Sequence, residues 1–276
     1  MKILLVNDDG YQAQGIHSLI KALKEEHELV VAAPSTHRSG SSHCISEGVT
    51  VTAREVYLED VEHPVWAVDG TPADCTLWAL NELMGLDHLP DLVLSGINMG
   101  YNLSEIVNYS GTVAAAHEGF IMGIPSVALS TSSRHRNYDD AATVVRAMLP
   151  RLLESKRPFF YNVNIPALPP EEIKGIMKAP LCPPPSVQAR RSRTNPFSDF
   201  YWWEPDSENS AFDLVEGSDM WAVKEGYVAI TPIKLNYMNF NAMKHMPDFS
   251  DLELSSRNSV DSGDHNDNNR LEKRIS

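Results

Sequence analysis

Asp8 and Asp9 stand side by side behind the apolar run Ile3-Leu4-Leu5-Val6, with Asn7 before them and Gly10 after. Adjacent carboxylates repel each other and call for positive charge. A hard divalent cation, which takes oxygen ligands, meets that need. Three more stretches offer partners. Arg38-Ser39-Gly40-Ser41-Ser42 and Ser95-Gly96-Ile97-Asn98-Met99-Gly100 carry neutral oxygens among glycines, and Tyr109-Ser110-Gly111-Thr112 leads into an expected helix. Asp8, Asp9, Ser39 and Asn98 together would make an oxygen-rich cation site with room for waters. Ser110, Gly111 and Thr112 would offer free N–H groups, two hydroxyls and the positive end of a helix dipole, which is a phosphate site. A metal beside a phosphate cradle implies phosphoryl chemistry, the metal polarising the phosphoryl group and positioning a water. Each stretch alone also reads as a turn or an N-cap, because Asn, Asp, Ser and Gly serve both.

Convergence is what favours chemistry, and it depends on the elements that carry these loops. The run at Ile3–Val6 reads as a buried strand. Ile16, Leu19, Ile20 and Leu23 give residues 14–26 one apolar helical face, and Leu29-Val30-Val31-Ala32-Ala33 follows as a strand stopped by Pro34. Strand, helix and strand in that order make a parallel, right-handed βαβ unit. Further strands are expected at Trp66–Val68, Leu92–Leu94 and Ser126–Leu129, with helices over 73–86, 113–122 and from Tyr138 through Leu153. The alternation predicts an α/β, Rossmann-like core with a mostly parallel sheet. Ligands in such sheets bind at the C-terminal ends of the strands, where the four loops fall.

Other candidates carry weaker signals. His17 and His117 fall in expected helices and read as packed or solvated. His37 and His43 flank Ser39 and could reach substrate, but are not expected as metal ligands. Asp74 in Gly70-Thr71-Pro72-Ala73-Asp74-Cys75 reads as a cap of the helix it opens, in preference to a catalytic role, with lining of the pocket as the alternative.

Bulk properties narrow the classes. The net charge of −14 argues against a nucleic-acid polymer or an anionic membrane as partner. The cysteines Cys44, Cys75 and Cys182 are odd in number and form no CxxC pair, as expected of a cytoplasmic protein. Nothing resembles a signal peptide or a run of about 18 apolar residues. From about residue 166 the pattern changes. Prolines punctuate the chain, Arg190, Arg191 and Arg193 form a basic spot, and Phe200-Tyr201-Trp202-Trp203 and Tyr227-Val228-Ala229-Ile230 are strand candidates. The expected organisation is one domain over 1–250, with a core to about 165, β-hairpin or arm extensions over 166–250 that pack on a second subunit, and a polar, disordered tail over 251–276.

These motifs, with Asn162-Val163-Asn164-Ile165-Pro166 and Glu225-Gly226-Tyr227-Val228-Ala229-Ile230-Thr231-Pro232, resemble the survival protein SurE family in content and order. The resemblance covers about the first 235 residues. It implies a phosphatase dependent on one Mg2+ or Mn2+ per subunit, which hydrolyses nucleoside 5′- and 3′-monophosphates and trims short polyphosphate. It implies Asp8, Asp9, Ser39 and Asn98 as metal ligands, with Asp8, Asp9 and Asn98 catalytic, and Ser110, Gly111 and Thr112 as the phosphate cradle. It also implies a Rossmann-like core whose C-terminal elements exchange between subunits of a homodimer or homotetramer. The chain departs from the family after Ile233, where Lys234-Leu235-Asn236-Tyr237 replaces an expected Asp and its adjoining segment.

Competing functions fit less well. A phosphoacceptor receiver domain needs an Asp at a later strand end, where this chain has Asn98. A phosphatase with an aspartyl nucleophile separates its acids as Asp-x-Asp. A dinucleotide-binding protein needs GxGxxG after the first strand.

Overall fold

The computed structural model describes residues 1–58, 61–133, 137–155, 158–183, 192–195, 198–201, 214–234 and 239–248. In chain order its elements are β1 (Lys2–Val6), α1 (Gln14–Leu23), β2 (Glu28–Pro34), β3 (Thr52–Leu58), β4 (Val61–Asp69), α2 (Pro72–Trp78), β5 (Leu92–Met99), α3 (Gly111–Ile121), β6 (Ser126–Thr131), α4 (Tyr138–Leu152), β7 (Phe160–Ile165), β8 (Ile176–Lys178), β9 (Ser192–Asn195), β10 (Ser198–Tyr201), α5 (Asp219–Lys224), β11 (Val228–Pro232) and α6 (Phe240–Lys244).

Among the described residues, nine strands form one sheet in the order β3-β4-β2-β1-β5-β6-β7-β11-β8. Pairing is parallel except at β3·β4 and β7·β11. β1 is buried on both faces, which is why it reads as a continuous apolar run. Ile3 and Leu5 pack on the α1 and α4 side, with Leu19, Val145 and Leu149. Leu4 and Val6 pack on the other side, with Cys75 of α2, Leu80 just beyond it and Ala115 of α3. β1 lies between β2 and β5, so the chain changes direction along the sheet there. That crossover opens the crevice at the strand ends.

The α/β architecture is as expected, and several elements extend it. β3 escapes sequence reading because it is an edge strand with a mixed, largely exposed pattern, Thr52-Ala53-Arg54-Glu55-Val56-Tyr57-Leu58. β7 escapes it because Asn162 and Asn164 oppose strand propensity. The change of pattern near residue 165 does not end the sheet, since β8 and β11 both join it beyond that point. The helix expected over 73–86 ends at Trp78 and widens into a π turn over Ala79–Leu83, closed by Met84 N–H donating to the Ala79 carbonyl at 2.9 Å. Phe200 and Tyr201 belong to the β9–β10 hairpin, which is paired antiparallel. Arg190, Arg191, Trp202, Trp203 and the tail expected over 251–276 lie outside the described residues.

Met1–Leu235 forms one unit and Asn236–Ser276 a second. Within the second, Asn239 caps α6 by accepting from Ala242 N–H at 2.8 Å. No helix among the described residues is long and apolar enough to cross a membrane.

α1 crosses the end of β5 at Gly15, where a Cβ would sit 1.9 Å from the Ile97 carbonyl oxygen. The obstacle is strand backbone and cannot rotate away. Gly15→Ala is therefore expected to lower stability by about 3 kcal/mol, the upper end of overpacking costs. Urea unfolding reads this directly, and an unchanged midpoint would contradict the contact.

Candidate active site

The turn after β1 is clamped from both directions by Asn7. Its Nδ2 donates to the Gly10 carbonyl at 2.9 Å, and Gly10 N–H donates back to Asn7 Oδ1 at 3.1 Å. Gly10 has φ +101°, a conformation that side chains other than glycine rarely adopt. The clamp presents Asp8 and Asp9 in different directions. Asp8, 2% exposed, accepts through Oδ1 from the Thr112 hydroxyl at 2.5 Å. Asp9 accepts through Oδ2 from Met99 N–H at 3.0 Å. Its Oδ1 lies 3.3 Å from His37 Nδ1, yet the alignment is not that of a hydrogen bond, and this buried oxygen has no donor.

Both carboxyls are held above their usual range. Burial pushes Asp8 up to about 6, with the Thr112 hydroxyl pulling against it and the Asp9 charge adding to it. Burial also raises Asp9, against the Met99 N–H and His37.

β5 reaches the same spot through a bulge. It pairs with β6 at Ser95↔Ala128, loses register, and resumes at Asn98↔Ser130. One extra residue in β5 re-aims the strand beyond it. Asn98 then turns its Nδ2 to the Gly100 carbonyl at 2.8 Å, leaving its buried Oδ1 without a donor.

The remaining predicted residues are carried by two adjoining loops. Arg38 N–H donates to the Asp8 carbonyl at 2.7 Å, which ties the Arg38–Ser42 loop to the tip of β1. Ser39 sits in the exposed turn just beyond. Ser42 N–H donates to the Tyr109 carbonyl at 3.0 Å, and its hydroxyl donates to the Asn108 carbonyl at 2.7 Å. These bonds hold the loop against the start of α3. Ser110 caps α3, its Oγ accepting from Val113 N–H at 3.1 Å. Gly111 is packed so closely that a Cβ would meet Asp8 Cβ and Ser41 Oγ, each at 2.8 Å. The first-turn N–H groups of α3 have no intrahelical acceptor and carry the positive end of the dipole beside Asp8.

The structure thus brings Asp8, Asp9, Asn98, Ser110, Gly111 and Thr112 together and places Ser39 on the adjoining loop. Sequence reading passed over Ser41, whose Oγ is buried without a partner. Its only signal was membership of the Ser39–Ser42 run.

The other candidate side chains make the following contacts. His17 Nε2 lies 3.1 Å from the Tyr11 carbonyl oxygen. His43 Nε2 lies 2.7 Å from Glu118 Oε2, with its ring 4.4 Å from that of His117. Burial, with His43 adding, pushes His117 down to about 4. Thr71 and Asp74 form a reciprocal capping box at the start of α2. Burial would raise the Asp74 carboxyl, but donors from Ser46 and Thr71 outweigh it and hold it low.

No group of three or more His, Cys, Asp or Glu among the described residues is placed to hold a metal ion. A cation here would therefore rely on neutral oxygens beside the carboxylate pair. The donor set suits a hard divalent ion: two carboxylates held at raised pKa, with Asp9 Oδ1, Asn98 Oδ1 and Ser41 Oγ buried without partners.

The Asp8 shift sets a pH dependence for the metal-free protein. The folded protein keeps this proton to about 6, whereas the ordinary carboxyl releases it near 3.8. Stability from this group is complete below the lower value and is lost as pH rises through the upper one, a change of about 3 kcal/mol. Asp8→Asn should flatten that slope and raise the urea midpoint at pH 7 in the presence of chelator. A variant no more stable than the parent at pH 7 would contradict the shift.

The family model described as survival protein SurE matches residues 3–184. The 5′-nucleotidase SurE of Vibrio cholerae serotype O1 is 39% identical over 249 residues, covering 89% of this chain and 96% of that protein. The 5′-nucleotidase SurE of Pelotomaculum thermopropionicum is 37% identical over 253 residues, covering 89% and 94%. The crystal structure of the SurE protein from Aquifex aeolicus superposes with a TM-score of 0.77 at 39% identity, covering 89% of this chain and 98% of that one. With the crossover-point site and these matches running through its length, the chain belongs to the survival protein SurE family.

Proposed function

We propose that this protein is a divalent-cation-dependent phosphatase that releases phosphate from nucleoside 5′-monophosphates, with 3′-monophosphates and short polyphosphate as further substrates. One observation carries the reading. Asp8, a buried carboxyl next to a second one, is hydrogen-bonded to Thr112 in the first turn of α3, so a cation site and an anion site share one contact. The nucleotide part of the reading rests on relatives bearing the name 5′-nucleotidase.

In this reading Asp8, Asp9, Ser39 and Asn98 hold one Mg2+ or Mn2+. When bound, that ion supplies Lewis-acid polarisation of a phosphoryl oxygen and eases ionisation of a water. The chain's own groups do the positioning. The N–H groups of Gly111 and Thr112 receive phosphoryl oxygens at the positive end of α3. The Thr112 hydroxyl favours the ionised form of Asp8, and Met99 N–H fixes Asp9. Hydrolysis forms one bond from water oxygen to phosphorus and breaks the bond to the ester oxygen, which leaves with a proton. Alignment and fixed dipoles lower that barrier without a covalent intermediate on the protein.

The test is phosphate release from a nucleotide panel with Mg2+, with Mn2+ and with chelator. Release is expected with either metal and not with chelator, and Asp8→Asn should lower kcat about 100-fold or more. Metal-independent release, or full activity in Asp8→Asn, would overturn the reading. The same proposal includes assembly as a homodimer or homotetramer, as the resemblance implies. Light scattering on eluted protein reads this, and a monomer at micromolar concentration would remove it.

A further inference from the structure

Of the four candidate cation ligands, Asn98 is the one whose usefulness depends on which way round it sits. Its amide has a donor end and an acceptor end, and half a turn exchanges them. With the nitrogen turned inward it would present two N–H groups to a cation. The Gly100 carbonyl decides the matter by accepting from Nδ2 at 2.8 Å, which leaves Oδ1 as the buried end without a donor.

The Gly100 carbonyl is itself fixed from both sides. Gly100 N–H donates to the Thr131 carbonyl at 2.9 Å, at the end of β6. Two residues on, Asn102 is gripped by four hydrogen bonds. Its N–H donates to Asn164 Oδ1 at 2.9 Å. Its carbonyl accepts from Asn164 Nδ2 at 2.9 Å and from Asn162 Nδ2 at 2.7 Å. Its own Nδ2 donates to Ser130 Oγ at 2.8 Å. Asn162 and Asn164 are fully buried in β7. Buried amides are costly unless paired, and these two direct their donors to one loop residue.

We infer that Asn102, Asn162 and Asn164 are positioning residues that hold the Gly100 carbonyl in place and so keep the Asn98 amide oxygen available as a cation ligand. The inference rests on the cation reading above. Groups that orient a ligand in this way typically contribute about 10- to 100-fold to metal affinity. The three act through Asn98 and touch neither the cation nor the substrate.

Mn2+ binding to the full chain, followed by electron paramagnetic resonance, tests this without substrate. Asn164→Ala and the milder Asn162→Ala, which keeps the reciprocal Asn164–Asn102 pair, should weaken Mn2+ binding about 10- to 100-fold while the far-ultraviolet circular dichroism is unchanged. In an Asn98→Ala background the same substitutions should have little further effect, because the residue they act through is gone. A structural role alone would give additive losses. In parallel, 15N NMR of the metal-free protein should show the Asn98 side-chain NH2 protons exchanging faster with water in both variants. Wild-type protein that binds Mn2+ while both variants bind it equally well overturns the inference and spares the cation reading. No Mn2+ binding by wild-type protein overturns the cation reading, and unchanged Asn98 NH2 exchange overturns the positioning of the amide.

Discussion

Two carboxyl groups on consecutive residues, one almost fully buried, cannot both ionise cheaply at a sheet end. Much of the surrounding structure works around that constraint. Asn7 and Gly10 form a closed turn that points Asp8 and Asp9 apart. Thr112 and the Met99 N–H each satisfy one carboxyl oxygen. These contacts offset the cost of burial only in part, since burial keeps both groups above their ordinary pKa, with the Asp9 charge adding to it at Asp8. The strain is local and electrostatic, and it is the feature on which the proposed cation site rests.

The same site determines where the core can be tight. Gly111 lets the first turn of α3 approach Asp8 and Ser41, and Gly15 lets α1 approach the bulged end of β5. Around this centre, buried polar groups serve loops. Asn162 and Asn164 hold Asn102. Asp219, fully buried, accepts from the N–H groups of Ser104 at 2.7 Å, Cys182 at 2.8 Å and Met220 at 2.8 Å. The segment after β5 is thereby secured at Gly100, Asn102 and Ser104, so a long irregular connection keeps a defined shape. Loops that carry function commonly rest on such a rigid scaffold.

Much of this was legible before folding. The short apolar runs at Ile3–Val6 and Leu29–Ala33, the second stopped by Pro34, and the helical spacing of Ile16, Leu19, Ile20 and Leu23 between them are local signals that together mark a strand, a helix and a strand. Elements whose residues answer to distant partners were not legible. Asn162 and Asn164 contradict strand propensity because their partner is a loop about 60 residues away in sequence. The edge strand β3 carries little apolar signal because most of it faces solvent.

By itself, the sequence determined which residue types were available at each strand end and which of them could not be left uncompensated there. The paired acids, the glycines and the Ser-Gly-Thr helix start are local features, set by chain connectivity and side-chain chemistry. Only the tertiary structure decided that Thr112 meets Asp8, that Met99 N–H meets Asp9, and that Asn98 turns its nitrogen outward. Those outcomes depend on β1 lying beside β5 and on one extra residue in the β5 ladder. Pairing partners and register come from packing across the whole sheet, and no local pattern encodes them.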